Sequence, residues 1–151
     1  MIRDQVSEFH RLMGAPVNDT PAVPADERVK LRLRLIAEEF FELLQAHGLD
    51  AFGEFHEAQD ALDDLIGCFD SDADYVDIVK TADALGDLAY VIEGMNLEYG
   101  ISSPEVLEEI QRSNMSKAGG VQRDDGKILK GPNYSPPDIA GVLTAQGWDG
   151  K

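Results

Sequence analysis

Basic residues are scarce in this sequence: 13 Lys+Arg stand against 29 Asp+Glu in 151 residues, a formal charge of −16. That imbalance argues against a nucleic-acid backbone or an anionic membrane surface as the main partner, since both need positive charge at the contact. Cysteine is nearly absent. The single Cys68 has no internal disulfide partner, so it reads as small core filler, and the expected location is a reducing cytoplasm. Long apolar runs are missing as well. Leu88-Ala-Tyr-Val-Ile92 is among the longest, far below the ~20 residues that a spanning helix needs. The opening Met1-Ile-Arg-Asp-Gln5 has no apolar signal core, so export is not expected. Strand-like alternation, internal repeats and low-complexity tracts are also lacking.

Several familiar site motifs are absent too. There is no GxxxxGK[ST] phosphate loop, and none of His10, His47 and His56 follows a Glu by three residues, as a di-iron bundle requires. Asp70, Asp72 and Asp74 imitate the start of an EF-hand loop. The glycine position is Tyr75, however, and the closing glutamate position is Thr81, so this stretch reads as a helix-capping turn.

What remains is helical. The 43% apolar content suffices for the core of one domain spanning residues 1–151. A first helix is expected over about 4–13, ended by Gly14, with Pro16, Pro21 and Pro24 marking an irregular connection. A long helix follows over about 26–47, with an apolar stripe of Val29, Leu33, Ile36, Phe40 and Leu44 and a stop at Gly48. A third, acidic helix covers about 54–66. A fourth runs from a cap in the Asp70–Asp74 stretch to about Tyr99, before Gly100. Ser103-Pro104-Glu105 signals the start of a fifth. A loop over 118–137 and one short helix to about 146 complete an all-α helical bundle with a long, basic C-terminal loop.

The charge is unevenly placed. Between Asp50 and Asp87 twelve acidic residues meet one basic residue, Lys80. From Gln111 to Gly131 the balance reverses, with Arg112, Lys117, Arg123, Lys127 and Lys130 against Asp124 and Asp125. An acidic helical body with a basic tail suits a site that binds metal and phosphate together. On the long helix, Glu38 and Glu42 are four residues apart and stack, and Glu39 leans toward Glu42. Such like-charge pairs cost an isolated helix about 0.2–0.5 kcal/mol each, and a nearby cation reverses that sign. Asp83 and Asp87 repeat the spacing on the fourth helix. Together these carboxylates offer the hard oxygen ligands that Mg²⁺ or Mn²⁺ prefers. The bland reading is a solvated acidic face, the usual fate of either cluster taken alone. Lysines in the tail can act as point charges on phosphates, and Asn114 can bind a polar ligand group, although each is equally a solvated surface residue.

The chain resembles the MazG-like superfamily of all-α nucleoside triphosphate pyrophosphohydrolases, in a branch found in phages and bacteria. The resemblance runs over nearly the whole chain. It rests on Phe9-His10, the Arg32…Leu-Ile-Ala-Glu-Glu helix with Glu42, and the Asp-x-x-x-Asp-Leu-x-Tyr-Val stretch from Asp83 to Val91. Arg112-Ser-Asn-Met-Ser-Lys117 and the Asp125-Gly-Lys-x-x-Lys-Gly-Pro tail complete it. It implies hydrolysis of a (deoxy)nucleoside triphosphate between the α- and β-phosphates, giving the monophosphate and pyrophosphate. It further implies two or three Mg²⁺ ions per site, with Mn²⁺ able to substitute, held by Glu39, Glu42, Asp83 and Asp87. Glu38 would join a further metal or activate the attacking water, a catalytic role shared with Glu39. Lys117, Lys127 and Lys130 would neutralise the phosphate chain, with Asn114 beside them. The chain departs from many relatives in carrying Ala84 where they place a glutamate three residues before the second aspartate, so Asp83 would act with a shorter side chain.

Base selectivity is less legible. His10, Arg32, Tyr90 and Trp148 are the candidates for stacking on or hydrogen-bonding a base, and each is equally ordinary packing or surface. A purine such as (d)GTP is favoured only because the branch is rich in phage enzymes. The alternatives are a dUTP- or dCTP-type pyrimidine, phosphoribosyl-ATP, or a non-catalytic acidic binding protein. Families of this kind assemble as homodimers or homotetramers, and Phe40, Phe41, Val91, Ile92 and Met95 are compatible with such an interface.

Overall fold

The computed structural model describes residues 1–69, 76–121, 123 and 127–150. Its helices are α1 (Ile2–Leu12), α2 (Asp26–Ala46), α3 (Glu54–Gly67), α4 (Ile78–Tyr99), α5 (Ser103–Met115) and α6 (Ile139–Ala145), with a single 3-10 turn at Leu49–Ala51. Among the described residues there is no strand, so the expected all-α class holds. The expected cap in the Asp70–Asp74 stretch lies outside the described residues. No described helix is long and apolar enough to cross a membrane.

The chain divides into two compact units, Ala22–Asp77 and the combination of Met1–Pro21 with Ile78–Lys151. In the first, α2 packs on α3. Leu31 and Phe41 of α2 and Phe55 and Ile66 of α3 form its buried core. Burying an aromatic or branched side chain of this size contributes about 1.5–3 kcal/mol. Arg34 Nε donates to Asp63 Oδ1 at 2.6 Å, tying the two helices at the rim of that core. Between them the chain reverses at Gly48, whose φ of +74° is a left-handed conformation that side chains resist.

Two expectations are corrected here. The stripe Val29, Leu33, Ile36, Phe40 and Leu44 is not the face that α3 covers: Leu33, Ile36 and Phe40 are exposed, and Leu31 and Phe41 are buried in their place. Helix α2 is apolar on two sides, and the packing of Phe55 selects the second. Cys68 is exposed, because α3 ends at Gly67 and the chain leaves the core just past Ile66.

In the other unit α1 and α6 lie against α5. Gln111 Nε2 donates to the Gln5 carbonyl at 3.0 Å, joining α5 to α1. The α4–α5 turn uses Gly100 at φ +68°. Helix α5 is capped one residue earlier than the sequence suggests, at Ser102, with Pro104 in the first turn. The Ser102 hydroxyl donates to Glu105, which draws that carboxyl below its usual value, and the Ser103 hydroxyl donates instead to Glu93. Gln146, just past α6, accepts from the Ser102 amide at 2.9 Å and donates to the Ser102 carbonyl at 3.0 Å. Helix α4 has no buried residue: Leu85, Leu88, Val91 and Ile92 are all exposed apolar side chains.

Candidate active site

In the α2–α3 unit, Glu38, Glu39 and Glu42 occupy two successive turns of α2. Glu38 is half-buried, while Glu39 and Glu42 are exposed. Helical geometry places Glu38 one turn beyond Arg34, on the side of the buried Leu31 and Phe41, and Glu42 one turn further. Arg32 is an exposed residue whose guanidinium is drawn below its ordinary value, first by desolvation and then by Arg28 one turn back.

In the other unit Asp83 and Asp87 lie four apart on α4 and are exposed. Tyr90, three residues beyond Asp87, is 81% exposed. Both carboxylate groups therefore keep the helical spacing read from the sequence, each within its own unit. All five are oxygen donors, and Glu39, Glu42, Asp83 and Asp87 are open to solvent. That donor set fits a hard divalent cation better than a soft one. Among the described residues neither unit by itself gathers three His, Cys, Asp or Glu side chains into a metal-holding group.

The basic residues collect where α5 ends. Ser113 is buried, Asn114 and Lys117 are half-buried, and the chain turns out of the helix with the Gly120 amide donating to the Lys117 carbonyl at 2.9 Å. The following loop is pinched at its base. A Cβ on Gly120 would collide with the Leu129 carbonyl oxygen, and one on Gly131 would lie 2.8 Å from the Gly120 amide nitrogen. Only glycine permits this backbone approach. Above the pinch the Leu129 amide donates to the Val121 carbonyl at 3.0 Å, and the Arg123 amide to the Lys127 carbonyl at 2.9 Å. Lys130 Nζ lies 4.8 Å from the centre of the Tyr134 ring, a cation–π contact. The pinch thus returns the backbone beside Lys130 to the turn after Lys117, while Lys127 lies further along the loop, opposite Arg123. Asp125 and Gly126 of the tail motif lie outside the described residues.

The remaining base-binding candidates fall elsewhere. The His10 ring sits 2.9 Å from the Pro16 carbonyl through Nδ1, closing the turn after α1. Trp148 lines a cavity of about 350 Å³ with Tyr99, Ile101, Leu143 and Gln146. Sequence reasoning missed Glu109, and it left Arg112 and Ser116 as motif residues without a role. Glu109 takes Arg112 NH2 at 2.7 Å, Arg112 Nε at 2.8 Å and the Asp138 amide at 2.6 Å. These bonds, those from Arg112 foremost, pull its carboxyl down to about 2. The only sequence signal was the spacing of three between Glu109 and Arg112, common on any helix surface.

An all-helical chain with carboxylates four apart on two long helices and lysines gathered at a helix end has the makings of a nucleotide pyrophosphohydrolase. The comparisons place it there. Residues 6–114 match the phosphoribosyl-ATP pyrophosphohydrolase family, and the chain belongs to that family, a member of the MazG-like all-α superfamily. A solved structure from Exiguobacterium sp. 255-15, described as that of a candidate NTP pyrophosphohydrolase, is 28% identical. It aligns over 96% of this chain and 92% of its own, with a TM-score of 0.63. No curated protein matches. The protein is therefore an enzyme of the nucleotide pyrophosphohydrolase class, which sets aside the reading as a non-catalytic acidic binding protein.

Proposed function

We propose that the enzyme hydrolyses a purine nucleoside triphosphate between the α- and β-phosphates, with Mg²⁺ or Mn²⁺ as cofactor. The observation that carries this reading is the pairing of four-apart carboxylates on α2 and on α4, both within the matched residues 6–114. Glu39, Glu42, Asp83 and Asp87 would hold two or three ions. A metal held there would supply Lewis-acid polarisation of the phosphate chain and a more acidic water. Glu38, set apart from its neighbours by half-burial, would orient the attacking water and take its proton. The water oxygen bonds to the α-phosphorus, the bridging α–β bond breaks, and pyrophosphate leaves with the electron pair. Lys117, Lys127 and Lys130 neutralise the phosphate oxygens as point charges, and the Asn114 amide donates beside them. Tyr90 is the best placed of the base-binding candidates, being exposed and on the turn after Asp87.

Phosphoribosyl-ATP is the second reading, favoured by the family that residues 6–114 match. It carries a triphosphate on a purine nucleoside, so the same side chains would serve it. Either way the exposed apolar residues of α4 suit burial against a second copy in a homodimer or homotetramer. The test is a panel of NTPs, dNTPs and phosphoribosyl-ATP with Mg²⁺ or Mn²⁺, the products being separated. Monophosphate plus pyrophosphate from (d)GTP or (d)ATP is the expected result. Turnover of phosphoribosyl-ATP alone selects the second reading, and diphosphate plus phosphate from every nucleotide would overturn both.

A further inference from the structure

Three polar side chains on one stripe of α5 and its cap hold the chain that returns from the basic loop. Glu109, Arg112 and Ser116 are spaced by three and four residues, so they lie in line along the helix. Glu109 accepts the Asp138 amide at 2.6 Å. Arg112 donates through NH2 to the Pro136 carbonyl at 2.8 Å and through NH1 to the Ser135 hydroxyl at 3.1 Å. Ser116 Oγ accepts the Ser135 amide at 2.8 Å. Its own proton goes to the Ser113 carbonyl at 2.6 Å, or to the Ser135 carbonyl at 3.3 Å. Residues 135–138 are thus fixed antiparallel to α5 through their backbone. The Glu109–Arg112 fork itself is two charge-assisted bonds, of 2.8 and 2.7 Å, with the Glu109 side chain only 16% exposed.

We infer that Glu109, Arg112 and Ser116 are positioning residues for phosphate binding: they clamp residues 135–138 to α5 and so anchor the loop that carries Lys127 and Lys130 at the helix end that carries Asn114 and Lys117. Neither end of the segment from Lys117 to Ser135 is then free. Lys117 leaves α5 directly, Ser135 is clamped to Ser116 one residue earlier, and the Gly120–Gly131 pinch lies just above. Holding the lysines in place before substrate arrives removes an ordering cost that binding would otherwise carry. The clamp touches no reacting atom, so its loss acts on substrate binding more than on the chemical step. The inference rests on the assignment of these lysines to the phosphate chain.

The test combines two readouts on the full-length protein, for Arg112→Lys, Glu109→Gln and Ser116→Ala. The first is the rate of tryptic cleavage after Lys127 and Lys130 without substrate, which reads the clamp independently of activity. The second is steady-state kinetics on the nucleotide that the wild type turns over best. Loss of the two-pronged guanidinium in Arg112→Lys, or of the carboxylate charge in Glu109→Gln, predicts about tenfold faster cleavage and about a tenfold higher KM, with kcat changed less than about threefold. Ser116→Ala keeps both charges and should show the same pattern more weakly, which preserves the test if either fork variant folds poorly by circular dichroism. Unchanged cleavage in folded variants would overturn the clamp. Faster cleavage with unchanged KM would overturn its role in substrate binding, while leaving the carboxylate-based reaction intact. A wild type inactive on every nucleotide would instead count against the proposed reaction, with the proteolysis still reporting on the clamp.

Discussion

The Phe41 ring of α2 meets the Phe55 ring of α3 edge to face, with centroids 5.2 Å apart and an interplanar angle of 86°. Each residue is only 6% exposed, so the pair is the centre of the α2–α3 unit. Its neighbour Phe40 touches Phe41 at 6.1 Å yet is itself 52% exposed.

Truncating this pair should therefore be costly. Phe55→Ala is expected to destabilise the protein by about 3–5 kcal/mol, the usual range for a buried aromatic. Urea unfolding followed by circular dichroism measures it. A loss below about 1 kcal/mol would mean that the two rings do not form the core.

Neutralising one carboxylate should separate activity from stability. Glu42→Gln or Asp87→Asn is expected to lower pyrophosphate release about 100-fold or more, since a lost metal ligand forfeits several kcal/mol of charge stabilisation. With a chelator present, the Glu42→Gln protein should unfold at the same or a slightly higher temperature. Removing one partner of a four-apart like-charge pair relieves about 0.2–0.5 kcal/mol. A variant with full turnover would take Glu42 out of the site.

Acid should release the tail clamp. The Glu109 carboxyl is held down from 4.5 to about 2, chiefly by Arg112 and then by the Asp138 amide. A depressed carboxyl stabilises the fold above its unfolded value, and that contribution fades as pH falls through the folded one. The stability difference between wild type and Glu109→Gln should then be constant at neutral pH and shrink between about 4.5 and 2. Hydrogen exchange of the Asp138 amide reads it directly; a difference independent of pH over that window would contradict the fork.

Charge on the open face of α4 should change the assembly. Val91 is 61% exposed and Leu88 43% exposed, so Val91→Glu costs little in a lone chain. If a second copy covers this face, sedimentation velocity will show the wild type as a dimer or tetramer and Val91→Glu shifted toward monomer. A monomeric wild type would remove the proposed interface.

The helices themselves were legible, apart from the start of α4, which begins at Ile78. Apolar periodicity together with Gly48 and Gly100 placed α2 and the end of α4 within a residue or two, because a left-handed stop and a 3.6-residue repeat are local physics. The carboxylate spacings of the candidate site were legible for the same reason, since residues four apart on a helix are neighbours whatever surrounds the helix. The face of α2 that is buried was not. Two of its sides are apolar, and only the approach of Phe55 and Asp63 from α3 favours Leu31 and Phe41 over Leu33, Ile36 and Phe40.

By itself, then, the sequence determined the elements and the chemistry each one displays, because helix formation, stops and side-chain neighbours within a helix depend on residues a few positions apart. Tertiary structure alone decided which apolar side of α2 became core and where the tail returned. Glu109 and Arg112 look like an ordinary surface pair until residues 135–138 arrive from 23 to 29 positions downstream to share their hydrogen bonds. No periodicity announces that contact, because it pairs side-chain charges with backbone groups that every sequence possesses.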